Sequence, residues 1–405
     1  MQIIEQIKTN KLFSNPSEIQ KICLDKLRLN LLPNSKSETW RLSNKSKLSN
    51  FLDFSLNHRN STFEIPYQKK AQDVIRFIIG KKESINIDNE YFSIKELHDQ
   101  ELVKYIKQNI SSFDQNEHWS ELLNLCLSSE QNILGLKING TKIPPLEILS
   151  HASSNKFNAK TLIVFIQKNC NVELVQINLG IENSSLSQAT YFCLEENSSL
   201  KHGVVAYGEN KSHLLNSLNV IQHSESEYNL GSLHFKFNYA RFEIRIKQLD
   251  GNAKTHIKGM QITKNKEQIA TYTKIEFNGP NGFLDQINKS LANDQSHSIF
   301  EGSIIVPKIA QKTDASQLSK NLLLSNHAQI DTKPQLEIVA DDVKCKHGAT
   351  ISQLNEQELF YMRSRGLTLT EASKLQLSSF FQEIIAFIPM PKERWDLLNK
   401  LLKDS

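Results

Sequence analysis

From about residue 133 to about residue 350 this sequence consists of short runs in which apolar and polar residues alternate, and this feature limits the possible folds most. Examples are LIVFI (162–166), VELVQINL (172–179) and RFEIRIKQL (241–249). Turn-forming Asn, Gly, Ser and Asp residues separate the runs, and no helical periodicity intervenes. So many short strands predict a sandwich, a barrel or a β-solenoid. The pattern alone does not choose among the three.

A β-solenoid would place further demands on the chain. Rungs of about 20–25 residues would give roughly eight or nine coils over this length, although no clean repeat motif is visible. A solenoid must also cap or pair its open edges, because an exposed strand edge carries unpaired backbone groups. Flanking helices or a partner protein are therefore expected.

The sequence before the strands is predicted to be mostly helical. Asn15 followed by Pro16 is a typical helix start. The apolar stripes are Ile19, Ile22, Cys23 and Leu27 in this first helix, and Trp119, Leu122, Leu123 and Cys126 in a later one. We interpret Cys23 and Cys126 as core residues, since a free cysteine packs like a small hydrophobic side chain.

Helices return after residue 354. Asn355 with Glu358, and Thr368 with Glu371, fit the capping pattern at two helix starts, and Gly366 fits a helix end. The apolar stripe of the second helix consists of Leu377, Phe380, Phe381, Ile384, Ile385 and Ile388. A last short helix is predicted from Pro391, with Trp395, Leu398 and Leu402 on its apolar face.

A chain of 405 residues exceeds the usual size of a single core, so two or three domains are expected. We divide it into an N-terminal helical region (1–132), a β core (133–350) and a C-terminal helical domain (351–405).

Composition excludes several classes of protein. The net charge of +4 is spread along the chain without a run of basic residues, which argues against nucleic-acid binding. The five cysteines are an odd number and lie far apart, which favours reduced thiols in a cytosolic protein. The apolar stretches are too short to span a membrane, and the first residues do not resemble a signal peptide. We therefore expect a cytoplasmic protein.

The common catalytic motifs are absent from the sequence. There is no G-x-G-x-x-G, H-E-x-x-H or G-x-S-x-G pattern. GLKINGTK (135–142) has P-loop glycine spacing, but Thr141 stands where the lysine belongs. Asp341 and Asp342 are adjacent, so they would point to opposite faces of a strand, and a solvated or turn-forming role is favoured.

The segment VADDVKCKHGAT (339–350) places Cys345 and His347 two residues apart in a strand-like run. Residues i and i+2 share one face of a strand. The pair could be half of a metal site, a thiol with its base, or ordinary packing. Two ligands do not complete a zinc or iron–sulfur site, which typically has four. The remaining ligands would come from elsewhere in the fold or from another chain.

Residues 300–366 resemble the core of the SufD family, whose members belong to the SUF iron–sulfur cluster assembly machinery. The resemblance rests on AQKTDASQL (310–318), DTKPQLEIVADDVKC (331–345) and LFYMRSRG (359–366). The paralogous SufB family tends to have a cysteine where this chain has SQLSKN (316–321) and His-Glu-Ala where it has His-Gly-Ala (347–349). Many relatives have a histidine within the segment that corresponds to residues 271–280, and this chain has none.

The resemblance implies a mainly β fold, a right-handed parallel β-helix between helical regions. It implies a heteromer in which SufB pairs through the β-helices and two copies of the SufC ATPase bind the C-terminal helices. The chain would be a non-catalytic scaffold that binds no cofactor tightly when alone. Iron or an iron–sulfur cluster would lie at the interface with SufB, where His347 is this chain's contribution and Cys345 a weaker candidate.

The helix that contains ELFYMRSRG (358–366) is then the expected docking surface for SufC. Its candidate contacts are Phe360, Tyr361, Arg363 and Arg365, because aromatic and arginine side chains commonly anchor interfaces. The alternative is that Phe360 and Tyr361 pack inside their own domain against Phe380 and Phe381.

Two other functions remain open from the sequence. One is an exported β-helix protein that binds or modifies carbohydrates. The other is a homodimer, in which Cys345 and His347 repeat across a two-fold axis. An isolated chain could pair in this way.

Overall fold

The computed structural model describes residues 17–28, 33, 37–52, 74–81, 85–114, 117–209 and 211–389. Within these residues nineteen strands form two long sheets, and from residue 133 onward successive strands belong alternately to one sheet and the other. In spatial order sheet 1 contains β1 (Ile75–Ile78), β5 (Leu146–Ala152), β7 (Asn171–Gly180), β9 (Ser199–Gly208), β11 (Glu227–Phe235), β13 (Lys254–Thr263), β15 (Phe283–Ala292), β17 (Asp314–Leu323) and β19 (Lys344–Ser352). Sheet 2 contains β2 (Asn86–Asp88), β3 (Phe92–Glu96), β4 (Ile133–Gly140), β6 (Phe157–Ile166), β8 (Ser185–Leu194), β10 (His213–Gln222), β12 (Tyr239–Gln248), β14 (Gln268–Phe277), β16 (His297–Val306) and β18 (Gln329–Ile338).

The strands are the coils of a parallel β-solenoid with about eight turns, so the predicted solenoid is confirmed. All neighbouring strands are parallel except β2, β3 and β4, which pair antiparallel. The predicted rung length was wrong. Asn171 pairs with Ser199 one turn later, and Phe157 pairs with Ser185. A rung is longer than expected because each turn contains two strands of up to 10 residues.

The turns between strands contain a repeat that the sequence analysis missed. Four asparagines spaced 14 residues apart have a positive φ of 53° to 61°: Asn155, Asn169, Asn183 and Asn197. Asparagine tolerates this left-handed conformation better than most residues. The residue after Asn183 is Ser184, whose Oγ donates a 2.6 Å hydrogen bond to the Ile181 carbonyl. The segments IENSSL (181–186) and EENSSL (195–200) show the repeat in the sequence.

The interior of the solenoid is apolar on one side and polar on the other. Leucine, isoleucine and valine side chains from both sheets form one continuous core along its length. Beside this core, amide and hydroxyl side chains bridge the sheets, as in the 3.1 Å bond from Gln176 Nε2 to Thr190 Oγ1. The polar pairs satisfy buried donors and acceptors that would otherwise destabilise the fold.

Helices and the segment around Trp40 cover the outer face of sheet 2 from its first strands to β14. The helices are α1 (Glu18–Arg28), α2 (Lys45–Leu52), α3 (Asp99–Ser111) and α4 (Trp119–Leu127), with short 3-10 helices at Glu38–Trp40 and Glu130–Asn132. Cys23 and Cys126 are fully buried in their common core, as predicted. Asn15 and Pro16 lie outside the described residues. The expectation of mostly helix was incomplete, because β1, β2 and β3 also come from this region.

A buried arginine anchors the covering segment to the solenoid. The Arg241 guanidinium on β12 lies 3.7 Å from the ring centroids of both Trp40 and Tyr272. Its Nε is 2.5 Å from Glu243 Oε1, and its Nη1 donates to the Thr39 carbonyl at 2.9 Å. A buried guanidinium needs such partners, and removing one partner of a buried pair is strongly destabilising.

Two further helices follow β19. In α5 (Glu356–Ser364) the Asn355 side chain accepts hydrogen bonds from two backbone amides, and in α6 (Leu369–Ile385) Thr368 and Glu371 form the predicted capping box. Gly366 has a φ of +96° between the two helices, as expected for a helix end. The helix predicted from Pro391 lies outside the described residues. The division into three domains stays a prediction.

The helix α6 packs on the outer face of sheet 1. Its buried residues Leu377, Phe381 and Ile384 contact side chains of β9, β11 and β13. At the margin, Lys289 Nζ on β15 lies 2.8 Å from Glu383 Oε2 and donates to the Phe380 carbonyl at 3.0 Å. The predicted apolar stripe is thereby confirmed as the face that holds α6 on the solenoid.

Candidate functional site

The solenoid ends at β18 and β19, which we call the open end. In the part of the chain that the structure describes, β18 pairs only with β16 and β19 only with β17. Apolar side chains are exposed there: Ile338 is 40%, Val339 66% and Ile351 49% accessible. A strand edge with unpaired backbone groups and exposed apolar side chains is a typical site for pairing with another chain.

Cys345 and His347 both lie on β19, at the open end. Cys345 pairs in register with Ala315, and His347 pairs with Gln317. Ala315 and Gln317 are buried inside the solenoid, so Cys345 and His347 continue two interior columns to the last rung. Cys345 is half-buried and packs against the apolar core, whereas His347 is exposed. The structure therefore places the imidazole where another chain could reach it.

The environment of Cys345 does not favour a reactive thiolate. Burial raises the pKa of its thiol, and a hydrogen bond with the Ala315 backbone opposes this only in part. A nucleophilic cysteine needs a lowered pKa, usually from a nearby positive charge. The thiol is thus suited to packing or to a soft metal ligand more than to attack on a substrate.

The two histidines nearest to His347 in sequence, His327 and His297, have different surroundings. His297, which begins β16, has its Nε2 2.6 Å from Asp331 Oδ2. His327 lines a groove along the edge of the solenoid, together with Lys211, Lys236 and Lys266. Within the described residues, no group of three or more His, Cys, Asp or Glu side chains is arranged to hold a metal ion.

The family comparison agrees with this architecture. The family model for the SUF system FeS cluster assembly, SufBD core domain, matches residues 148–380, which is more than half of the chain. The chain belongs to this family. The match covers most of the solenoid and extends into α6.

Three relatives illustrate the match, and two of them are named as iron–sulfur cluster assembly proteins. A SufBD family protein of Synechocystis is 33% identical over 239 residues, which are 56% of this chain and 53% of that protein. The SufD protein of Escherichia coli is 39% identical over 140 residues, 34% of this chain and 33% of that protein. A chloroplastic protein of Arabidopsis thaliana is 34% identical over 197 residues, 48% and 42% of the two chains. The matches span about half or less of these relatives, and they confirm the resemblance to SufD.

The other predicted surface of this SufBD family member is α5. Phe360 is 74% and Tyr361 60% accessible, and Arg363 and Arg365 are also exposed. The Arg365 guanidinium lies 5.3 Å from the Tyr361 ring centroid, within cation–π range. The sequence thus predicted four residues that the structure brings to one exposed helix and the turn after it.

The alternative that Phe360 and Tyr361 pack against Phe380 and Phe381 was wrong. Phe381 is fully buried against sheet 1, and the Lys289 ammonium lies 5.0 Å from the Phe380 ring centroid. Both phenylalanines face the solenoid because they belong to the buried stripe of α6. The aromatic side chains of α5 are therefore left on the surface.

The two rejected motifs are confirmed as structural. GLKINGTK (135–142) lies in β4 and the turn after it, without the helix that a P-loop requires. Asp341 and Asp342 are exposed in the connection between β18 and β19, where the Asp342 amide donates to Gln311 Oε1 at 2.9 Å. Among the described residues, no helix combines the length and apolar character needed to cross a bilayer.

Proposed function

We propose that this chain is a non-catalytic scaffold for iron–sulfur cluster assembly, acting with a SufB-type partner and the SufC ATPase. The observation that carries the proposal is the open end, where His347 lies on an unpaired edge strand among exposed apolar side chains. The family match indicates that the process is iron–sulfur cluster assembly. We infer that this chain takes part in it through the open end. The family match does not support the alternative of an exported β-helix protein that binds or modifies carbohydrates.

A SufB-type solenoid is the partner that fits the open end best. Its own edge strands could add to β18 and β19, so that main-chain hydrogen bonds give affinity and side chains give specificity. The exposed Ile338 and Ile351 would be buried by this pairing. A second copy of this chain could occupy the same edge when the chain is isolated, because the surface is then unpaired.

The nascent cluster is the cargo of such an assembly. Cys345 and His347 offer one sulfur and one nitrogen ligand at the open end, whereas iron–sulfur sites typically have four ligands. The partner would complete the set. His347 is the stronger candidate because its ring is exposed, while Cys345 packs partly against the core.

The helix α5 is the surface that we assign to SufC. Phe360 and Tyr361 supply exposed aromatic area, and Arg363 and Arg365 supply charge. ATP hydrolysis belongs to SufC in this proposal, and its effect reaches the open end as a change in the position of bound subunits. The five free thiols suit a reducing compartment, and we place the chain in the cytoplasm.

The test is co-expression with SufB and SufC partners, comparing His347→Ala with the unchanged chain. We expect the complex to form normally, as measured by pull-down, while its iron content and cluster absorbance fall by more than half. Ile351→Asp should instead reduce recovery of the SufB partner, because it places a charge in the pairing surface.

The matched control is His327→Ala, which removes another exposed histidine of the last rung, one that lies in the turn before β18 and not on β19. It should change neither complex recovery nor iron content. If His347→Ala and His327→Ala behave alike, the open end does not contribute His347 to the cluster, and that part of the proposal is wrong.

A further inference from the structure

A line of buried amide side chains runs through the solenoid interior and ends beneath His347. Gln286 on β15 pairs in register with Gln317 on β17, and Gln317 pairs with His347 on β19. Gln286 Nε2 donates to Thr273 Oγ1 at 2.9 Å, and Gln317 Nε2 donates to Gln286 Oε1 at 3.0 Å. The Thr273 hydroxyl therefore orients the Gln286 amide, and the Gln286 amide orients the amide of Gln317.

A glycine on the opposite sheet makes room for the last amide. A Cβ on Gly302 of β16 would lie 2.2 Å from Gln317 Nε2 and 2.9 Å from Gln317 Oε1. Such distances are too short for any non-bonded contact, so the amide fits only because residue 302 has no side chain. The Gln317 amide is thus held by its hydrogen bond to Gln286 and lies close against the backbone of Gly302.

The remaining oxygen of this amide is unsatisfied. Gln317 is 1% accessible, and its Oε1 has no hydrogen-bond partner among the described residues. A buried acceptor without a partner costs about 1–3 kcal/mol, so native structures usually supply one. The next residue in the same interior column is His347, whose ring is exposed.

We propose that Gln317 is the positioning residue of His347. Gln317 Oε1 accepts a hydrogen bond from the imidazole Nδ1–H, which is the ring nitrogen nearer to the strand. This bond holds the ring in one orientation and leaves the Nε2 lone pair directed out of the open end. Histidines that bind metal commonly use their other ring nitrogen in this way, and the partner decides which nitrogen is free. The inference rests on the proposed function only for what His347 would bind.

The experiment measures the tautomer of His347 in the isolated chain by nitrogen NMR of histidine labelled with ¹⁵N. The spectrum is recorded at alkaline pH, so that the two neutral tautomers are compared. Comparison with His347→Gln assigns the signal among the 12 histidines. We expect His347 to carry its proton mainly on Nδ1, against the usual preference of neutral histidine for Nε2–H.

Four variants separate positioning from a general structural effect. Gln317→Leu should remove the Nδ1–H signal and replace it with Nε2–H, and Gly302→Ala should do the same by displacing the amide. Gln317→Glu keeps an acceptor oxygen and should retain the Nδ1–H form. Ser319→Ala, on the same strand, removes the hydrogen bond from Thr332 and should leave the His347 tautomer unchanged.

The inference is overturned if His347 shows the same tautomer in the unchanged chain and in Gln317→Leu, which would mean that water satisfies Gln317 Oε1. If Gln317→Leu fails to fold, as judged by circular dichroism, Gly302→Ala and Gln317→Glu decide the question. The tautomer of His347 is measured without iron, so this test does not depend on cluster binding. A tautomer that depends on Gln317, together with an unchanged iron content in His347→Ala, would retain the inference and contradict the proposed function.

Discussion

The two ends of the solenoid differ in how their last strands are covered. At the first end, which we call the capped end, β1 extends sheet 1, β2 and β3 extend sheet 2, and helices lie against the outer face of sheet 2. Ile94 on β3 is fully buried there. At the open end, Ile351 on β19 is 49% accessible. An isoleucine near the capped end and an isoleucine on the last strand of the open end thus have opposite surroundings.

This difference shows which surface the chain leaves for another molecule. At the capped end the antiparallel strands β2 and β3 cover the edge of β4 and continue sheet 2. The open end is continuous with the same core but lacks comparable cover in the described residues. We therefore expect the open end to pair with a partner chain, as in the proposed function.

The largest expected effect tests the two isoleucines directly. Ile94→Ala should lower the free energy of unfolding by about 2–5 kcal/mol, because it leaves a cavity in a packed core. Ile351→Ala in the isolated chain should change it by less than about 0.5 kcal/mol, as expected for an exposed position. Urea unfolding followed by circular dichroism measures both. Equal losses for the two variants would mean that the open end is as well packed as the capped end.

A smaller effect concerns the attachment of α6 next to the open end. The Lys289 ammonium, with a hydrogen bond to Glu383, lowers the pKa of that carboxyl below its ordinary value of 4.5. A carboxyl with a lowered pKa stabilises the folded state fully above 4.5 and loses this contribution as the pH falls through the lowered value. We therefore expect α6 to detach more readily in acid, which amide hydrogen exchange of residues 369–385 can measure.

Glu383→Gln should weaken the protection of α6 at neutral pH and remove most of its dependence on pH below 4.5. Glu356→Gln, on the exposed helix α5, is the matched control and should leave α6 unchanged. A pH dependence that persists in Glu383→Gln would assign the effect to another group.

The sequence predicted much of this fold because its signals are local. Alternation identified the strands, and the stripe around Leu377 and Phe381 identified the face of α6 that is buried. The Thr368 capping box and Gly366 were readable for the same reason, since their partners lie within a few residues. The family resemblance located His347 and the exposed helix α5.

Features that depend on distant residues could not be read in advance. The packing of Gln317 against Gly302 joins opposite sheets, and the stacking of Arg241 on Trp40 joins segments about 200 residues apart. The rung length was also missed, although the asparagines of the turns recur at a fixed spacing. A strand register, once known, would have placed Gln317 beneath His347.

The most direct test of the central claim is amide hydrogen exchange of β18 and β19 in the isolated chain and in complex with a SufB-type partner. Strand addition would give the edge amides of residues 329–338 and 344–352 new hydrogen bonds, so we expect their exchange to slow by at least tenfold, while β15 in the middle of sheet 1 stays unchanged. Unchanged exchange at both terminal strands in a complex that has formed would contradict the claim that the open end is the pairing surface.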